Sequence, residues 1–218
     1  MSLAPGDEWQ VQPIVRIRQT TPDDIGALLA VERVVWPEYL RFEASHFESH
    51  MSVFPEGSVC AEVSRDRMAG IATVQIVKWS DIMSLEQWTW YGATDEGHIL
   101  HTHDPDGDTL YGVSLSVLPK YRLTQAAAVF MEHFRCLALR KNLTQAVVEA
   151  RIPSYSQALA KNKRLTAEMH IHAGGAQGDL GMYATLGMTL LCIVPNYVYD
   201  PESLNYAAIM HWRNPAHV

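Results

Sequence analysis

The chain has 218 residues, of which 48% are hydrophobic and 19% charged, and its formal net charge is −7 at pH 7. This composition is typical of a globular domain, and no apolar run approaches the eighteen or so residues that cross a bilayer. The negative charge argues against nucleic acid as a partner, because the phosphate backbone requires a basic face. Three scattered cysteines argue against a disulfide framework. We therefore expect a cytoplasmic protein with one domain over residues 1–218, the first thirteen forming a disordered tail.

The first part of the chain predicts a strand, two helices and a hairpin. The elements, in order, are a strand at residues 14–19, a helix at 21–36, a weaker helix at 43–53, and strands at 58–63 and 68–79. Thr21 and Pro22 are typical of a helix start and Pro37 of its end. Glu32 falls on the apolar stripe of the first helix, and we interpret it as a carboxylate at the edge of that stripe. Residues 80–108 are irregular and predict a long excursion over one face.

The second part has the stronger signals. Residues 109–117 (TLYGVSLSV) alternate, which places Tyr111 with Val113 on one side and leaves small residues opposite, where another group could lie close. Residues 125–141 carry the clearest helical stripe in the sequence. The remaining elements are a strand at 146–151, weak helix at 154–173, a helix at 179–186, and strands at 188–194 and 206–212. The order of strand, helices, three strands, helix, strand, helix and two strands indicates one α/β domain.

The strand, loop and helix at residues 110–141 are the most informative segment. A helix start that follows a strand gathers backbone N–H groups and the positive end of the helix dipole, which suits a pyrophosphate. The loop reads VLPKYRLTQAAAVF and resembles the GNAT signature of Arg or Gln, two residues, Gly, one residue, then Gly or Ala, with Arg122 and Ala127 at the outer positions. Leu123 and Gln125 replace the usual glycines. Gln125 could swing aside, bond a phosphate or obstruct the site.

The resemblance to the GNAT family extends over about residues 15–215. RIPSY, MYATLGM, IVPNYVYDPESLNYAAIMHWRNP and HDPDGDTLYG are similar to the branch that is often fused ahead of a nitrilase-like amidohydrolase domain. Since the chain ends at Val218, we expect no such domain to be attached. The resemblance implies an α/β fold of the GNAT type. In it, a twisted mixed sheet of about six to seven strands is flanked by helices, and its fourth and fifth strands are parallel and splayed.

The resemblance also implies acetyl-CoA as co-substrate and direct acetyl transfer to an amine, either a small molecule or a peptide. The implied cofactor-binding residues are Leu115, Ser116, Val117, Arg122, Leu123, Thr124, Gln125, Ala126 and Ala127. No membrane partner is expected, and the oligomeric state is left open, a homodimer included. The altered loop leaves a second interpretation open, a non-catalytic GNAT-fold module with weakened or altered ligand binding.

Two residues are candidates for proton transfer. Tyr183 in MYATLGM matches the tyrosine that many GNAT enzymes place near the CoA sulfur, and a hydroxyl can donate a hydrogen bond to a developing thiolate. The alternative is a buried aromatic on a short helix. Glu149 is the only acid in AVVEAR and lies at the implied cleft, which makes it the candidate base. The alternatives are an acid that points to solvent or one that pairs with Arg151.

A group of histidines and acids invites a metal interpretation. It comprises His98, His101, His103, Asp104, Asp106 and Asp108. Two histidines two residues apart specify a zinc site too loosely, and HDPDG turns form without a metal, so we expect none. A role for His101 or His103 in the acceptor pocket stays open.

Overall fold

The computed structural model describes residues 15–64, 67–122, 125–175 and 178–218. At its centre is a seven-stranded sheet of order β1-β2-β3-β4-β5-β7-β6. The strands are β1 Arg16–Gln19, β2 Ser58–Ser64, β3 Arg67–Val77, β4 Thr109–Val117, β5 Gln145–Arg151, β6 Thr189–Val194 and β7 Ala207–Arg213. Neighbouring strands are antiparallel except β4 and β5, which are parallel. The predicted mixed sheet, with its fourth and fifth strands parallel, is confirmed.

Helices flank this sheet. They are α1 Ile25–Val35, α2 Ala44–Val53, α3 Trp79–Ser84, α4 Trp90–Thr94, α5 Ala126–Arg140, α6 Ser154–Lys161, α7 Ala167–His170 and α8 Asp179–Thr185. The irregular excursion at residues 80–108 thus contains most of α3 and all of α4 between its turns. None of the helices in the described residues is long and apolar enough to span a bilayer.

The connection from β4 to β5 runs through α5, as two parallel neighbours require. The predicted apolar stripe is confirmed, because Phe130, Phe134, Leu137 and Ala138 are all buried. These side chains pack with residues of β2, β3 and β4 in the largest apolar cluster of the described chain. Burial of this stripe therefore fixes α5 against the sheet, with its first turn near the end of β4.

β4 and β5 separate after a short parallel contact. They pair only at Thr109↔Gln145, Leu110↔Ala146 and Tyr111↔Val147, whereas β5 continues along β7 over its whole length. From Gly112 onward, the edge of β4 that faces β5 therefore has no strand partner in the described chain. This opening between the strands is called the splay below.

A β-bulge lies at the point where the splay begins. The register of β3 on β4 passes from Val74↔Gly112 to Thr73↔Ser114, so that Val113 is an extra residue. An extra residue reverses the alternation of side chains. Tyr111 accordingly packs with a different apolar cluster from Val113. The predicted common face for these two residues is wrong, because the alternation was read as if β4 were regular.

Candidate active site in the splay

The predicted phosphate loop lies between β4 and α5. A short 3-10 turn, Pro119–Tyr121, leads to Arg122, whose side chain is exposed and whose Nε donates to the carbonyl of Val117 at 3.3 Å. Leu123 and Thr124, two of the predicted binding residues, lie outside the described residues. Ala126 begins α5, with Ala127 next, so the first-turn amides and the positive end of the helix are placed beside the end of β4.

Gln125 precedes α5, and its side chain is exposed and makes no capping hydrogen bond. It lines a surface cavity of about 780 Å³ together with Ala128 and Val129 of α5 and with Thr185 and Leu186 at the end of α8. Gln125 thus lies at the open space between α5 and the end of α8.

The β4 residues at the splay are covered on one face by α1. Ser116 is fully buried, and its hydroxyl accepts a hydrogen bond from Trp36 Nε1 at 2.6 Å and donates one to Glu32 Oε1 at 3.0 Å. The predicted open face of small residues is therefore wrong at Ser116, because α1 covers it. Leu115 and Val117 pack into the apolar core. In the splay, the part of β4 that remains available to a ligand is the backbone edge that faces β5.

The predicted position of Glu32 at the edge of an apolar stripe is wrong, since only 1% of the residue is exposed. Its second carboxylate oxygen accepts the backbone N–H of Phe42 at 3.0 Å. Burial raises the pKa of Glu32, and the bonds from Phe42 and Ser116 oppose that rise. Glu32 thus ties together α1, β4 and the segment before α2.

Glu149 lies on β5 within the splay, opposite Ile209 of β7, and is partly buried. Its carboxyl has no side-chain hydrogen-bond partner among the described residues. Burial raises its pKa to about 8, opposed only by its own backbone amide. The predicted alternative of pairing with Arg151 is wrong, because Arg151 makes two bonds of 2.8 Å to Asp200 and one of 2.9 Å to Glu202.

Tyr183 lies on α8 and is only 6% exposed. Its hydroxyl has no hydrogen-bond partner among the described residues. Burial, followed by the negative charges of Asp179 and Glu149, raises the pKa of Tyr183 well above its usual value. The hydroxyl therefore keeps its proton at neutral pH and can act as a donor.

Tyr183 and Glu149 approach the splay from opposite faces of the sheet. Tyr183 packs in the apolar cluster that contains Val148 and Ala150 of β5. Glu149 has the opposite parity in β5 and therefore faces the other side. A thioester held in the splay would have a proton donor on one side and a carboxylate on the other.

Aromatic residues surround the Glu149 side. Tyr111 and Tyr197 are buried there and their hydroxyls lie 2.8 Å apart, while Trp88 Nε1 donates to the Tyr111 hydroxyl at 3.0 Å. No pattern in the sequence indicates Trp88 or Tyr197 as site residues, because both lie in irregular segments without periodicity.

His98, His101 and His103 each contact another residue of the protein. The exposed His101 pairs with Asp95 at 2.9 Å. His103 Nδ1 accepts the backbone N–H of Ile76 at 3.1 Å, and Ile76 pairs with Leu110 at the closed end of β4. His98 stacks on a histidine of α2. Within the described ranges, no group of three or more His, Cys, Asp or Glu residues could hold a metal ion.

Comparison with known proteins identifies the family. No protein-family profile matches the chain. It is 32% identical over 206 residues to the uncharacterized N-acetyltransferase YkwB of Bacillus subtilis (strain 168), which covers 91% of this chain and 88% of that protein. The chain belongs to the GNAT N-acetyltransferase family. It is also 30% identical over 200 residues to the probable hydrolase YhcX of the same organism, but it spans only 38% of the length of YhcX.

Solved structures show the same GNAT fold. The GNAT-like decarboxylase GphF in complex with isobutyryl-CoA matches with a TM-score of 0.76 at 24% identity, covering 91% of this chain and 99% of that one. The loading GNATL domain of CurA from Lyngbya majuscula gives 0.75 at 15% identity, covering 92% and 98%. The ribosomal-protein-S18-alanine N-acetyltransferase of Escherichia coli gives 0.55 at 16% identity, covering 92% and 94%.

Proposed function

We propose that this GNAT protein is an acetyl-CoA-dependent N-acetyltransferase that transfers the acetyl group directly to an amine, carried by a small molecule or a peptide. The observation that carries the proposal is the splay, where the edge of β4 that faces β5 has no strand partner in the described chain and Glu149 and Tyr183 approach from opposite faces. The complex of GphF with isobutyryl-CoA supports a CoA thioester as the co-substrate.

The cofactor would bind along two backbone surfaces. The unpaired edge of β4 up to Val117 offers amide and carbonyl groups to the pantetheine arm, in place of the missing ladder with β5. The residues from Arg122 to Ala127, Leu123 and Thr124 among them, would hold the pyrophosphate at the start of α5. Arg122 adds an exposed positive charge at this point.

The reaction needs a base and an acid. The free amine attacks the thioester carbonyl carbon, the new C–N bond forms, and the C–S bond breaks as the electron pair moves to sulfur. Glu149 takes the proton that the nitrogen loses, and its pKa of about 8 lies close to a working pH for a general base. Tyr183 donates its proton to the departing thiolate and regains one from solvent.

Two measurements test the proposal. Acetyl-CoA should raise the melting temperature in a concentration-dependent way, since a ligand that binds only the folded state stabilises it. Release of free CoA should then be measured with a panel of amines, with Glu149→Gln and Tyr183→Phe as variants. Stabilisation by acetyl-CoA without amine-dependent CoA release in any member of the panel would favour the non-catalytic module.

A second candidate function is decarboxylation of a 2-carboxyacyl-CoA. It is favoured by the fold match to GphF and by Glu149, whose raised pKa keeps it mostly protonated at neutral pH. In this reaction the bond to the carboxylate breaks, its electrons move to the α-carbon as an enolate, and Glu149 supplies the proton. Incubation with malonyl-CoA, without any amine, distinguishes the two, because only this candidate yields acetyl-CoA and CO₂.

A further inference from the structure

The hydroxyls of Tyr111 and Tyr197 form a buried pair beside the splay. Tyr111 is 1% exposed and Tyr197 fully buried, and their oxygens lie 2.8 Å apart. Trp88 Nε1 donates to the Tyr111 hydroxyl at 3.0 Å. An indole N–H can only donate. Trp88 therefore occupies a lone pair of the Tyr111 oxygen and cannot accept a hydrogen bond from either tyrosine hydroxyl.

The two tyrosine hydroxyls carry one more proton than the hydrogen bond between them uses. Each tyrosine hydroxyl carries one proton, and the bond between them uses one of the two in either direction. The remaining proton has no acceptor among the described residues. A buried donor without a partner is costly, so an acceptor is needed close by.

Glu149 is placed to be that acceptor. Tyr111 pairs with Val147 of β5, and Glu149 follows two residues later on the same face. Ile209, the register partner of Glu149, packs in one cluster with Val147, Tyr111 and Tyr197. Burial, and after it the negative charge of Glu149, raises the pKa of both tyrosines, and the contribution of Glu149 also indicates proximity. Neither hydroxyl bonds the carboxyl directly in the described chain, and a water can connect polar groups that do not touch.

We propose that Tyr111 and Tyr197 are positioning residues for Glu149, the spare hydroxyl proton bonding its carboxylate through one bridging water. The bond holds the carboxylate in the splay and stabilises its charged form, which is the form that accepts a proton. This role rests on the proposed function, in which Glu149 is the base. The bond itself does not depend on which acyl-CoA reaction takes place.

Other titratable groups lie on the elements next to Glu149. They are Tyr183 and Asp179 of α8, Cys192 of β6, His211 of β7, and the Arg151–Asp200 ion pair. None of them is hydrogen-bonded to Glu149 in the described chain. Tyr183 is the other hydroxyl near Glu149, and it faces the opposite side of the sheet. The tyrosine pair, in contrast, shares a face with the carboxylate.

Titration of the Glu149 side-chain carboxyl by ¹³C NMR tests the proposal, with Glu149→Gln to assign the signal. The double variant Tyr111→Phe/Tyr197→Phe removes the spare proton, and we expect the pKa of Glu149 to rise by about one unit. Each single variant keeps one hydroxyl proton that can still bond the carboxylate. Its shift in the pKa of Glu149 should therefore be well below that of the double variant. Tyr155→Phe, which removes a buried hydroxyl elsewhere, should leave the pKa unchanged. An unchanged or lowered pKa in a folded double variant would overturn the proposal.

A measurement on the unsubstituted tyrosine pair covers the case in which the double variant does not fold. With tyrosine labelled at the ring carbon that bears the hydroxyl, the Tyr111 and Tyr197 signals should titrate at the Glu149 midpoint, and this response should vanish in Glu149→Gln. Signals that stay flat through that midpoint would overturn the proposal. Neither experiment requires turnover. If the titrations appear in a protein that acetylates no amine, the proposed function fails and the bond to Glu149 stands.

Discussion

Ser116 of β4 donates its hydroxyl proton to Glu32 of α1 at 3.0 Å, across a sequence separation of 84 residues. Trp36 completes the contact by donating to the same hydroxyl at 2.6 Å. This junction fixes α1 against β4 within the splay, next to the predicted path of the cofactor. Ser116 and Glu32 are both buried, so the hydrogen bond between them is protected from competition with water.

Glu32→Ala should lower the free energy of unfolding by about 2–4 kcal/mol, because it leaves the Ser116 hydroxyl and the Phe42 N–H without their acceptor. Glu32→Gln keeps an acceptor of the same size and should cost less than half as much. Urea unfolding measures both, with the exposed Glu48→Ala as a control expected to stay within about 0.5 kcal/mol of the unchanged protein. Equal losses in Glu32→Ala and Glu48→Ala would contradict the buried junction.

Glu149 should make stability depend on pH. Its pKa is about 8 in the folded protein against a usual 4.5, so the unfolded chain loses this proton first. The free energy of unfolding therefore falls as pH rises from about 4.5 to about 8, and Glu149→Gln removes this dependence on pH. Relative to the protein with Glu149, the variant should gain roughly 1–4 kcal/mol between pH 4.5 and pH 8. A difference that is flat with pH in chemical unfolding would show that the carboxyl titrates normally.

Tyr183→Phe keeps the buried ring and removes only the hydroxyl. Because that donor acts as charge develops on sulfur, kcat should fall by about 10²–10⁴-fold while the KM for acetyl-CoA changes little. Tyr155→Phe is the matched control, since it removes the hydroxyl of another buried tyrosine in the same apolar cluster. Steady-state kinetics decide between the roles, and a normal kcat in Tyr183→Phe would assign the residue to packing alone.

Gln125 tests the position of the pyrophosphate. Its side chain is exposed and does not cap α5, so Gln125→Gly should change the Kd for acetyl-CoA less than about threefold. Gln125→Glu places a negative charge at the same point and should weaken binding by about tenfold or more. Isothermal titration calorimetry measures both, with the exposed Gln87→Glu as the charge control. Similar effects of Gln125→Glu and Gln87→Glu would place the phosphates elsewhere.

The order of elements around the splay was predictable because its signals are local. Period-two alternation marked β4, and a helical stripe marked α5 to within one residue at each end. The resemblance of the loop and of RIPSY to the GNAT pattern then indicated that β4 and β5 are parallel.

Features that depend on distant partners were not predictable. Glu32 is buried because Ser116 and Phe42 satisfy it, and nothing near Glu32 in the sequence reveals either partner. The bulge at Val113 needs the register of β3, and the Trp88–Tyr111–Tyr197 contacts join three separate segments. Such side-chain networks are set by tertiary packing rather than by periodicity.

Transfer of a ¹³C-labelled acetyl group from acetyl-CoA to the nitrogen of an amine, followed by mass spectrometry, tests the central claim most directly. Our account predicts a labelled amide that requires the folded protein and is lost in the double variant Glu149→Gln/Tyr183→Phe. It predicts that Tyr155→Phe retains the product. An amine panel that stays unlabelled while acetyl-CoA binds, or labelling that persists in the double variant, would contradict it.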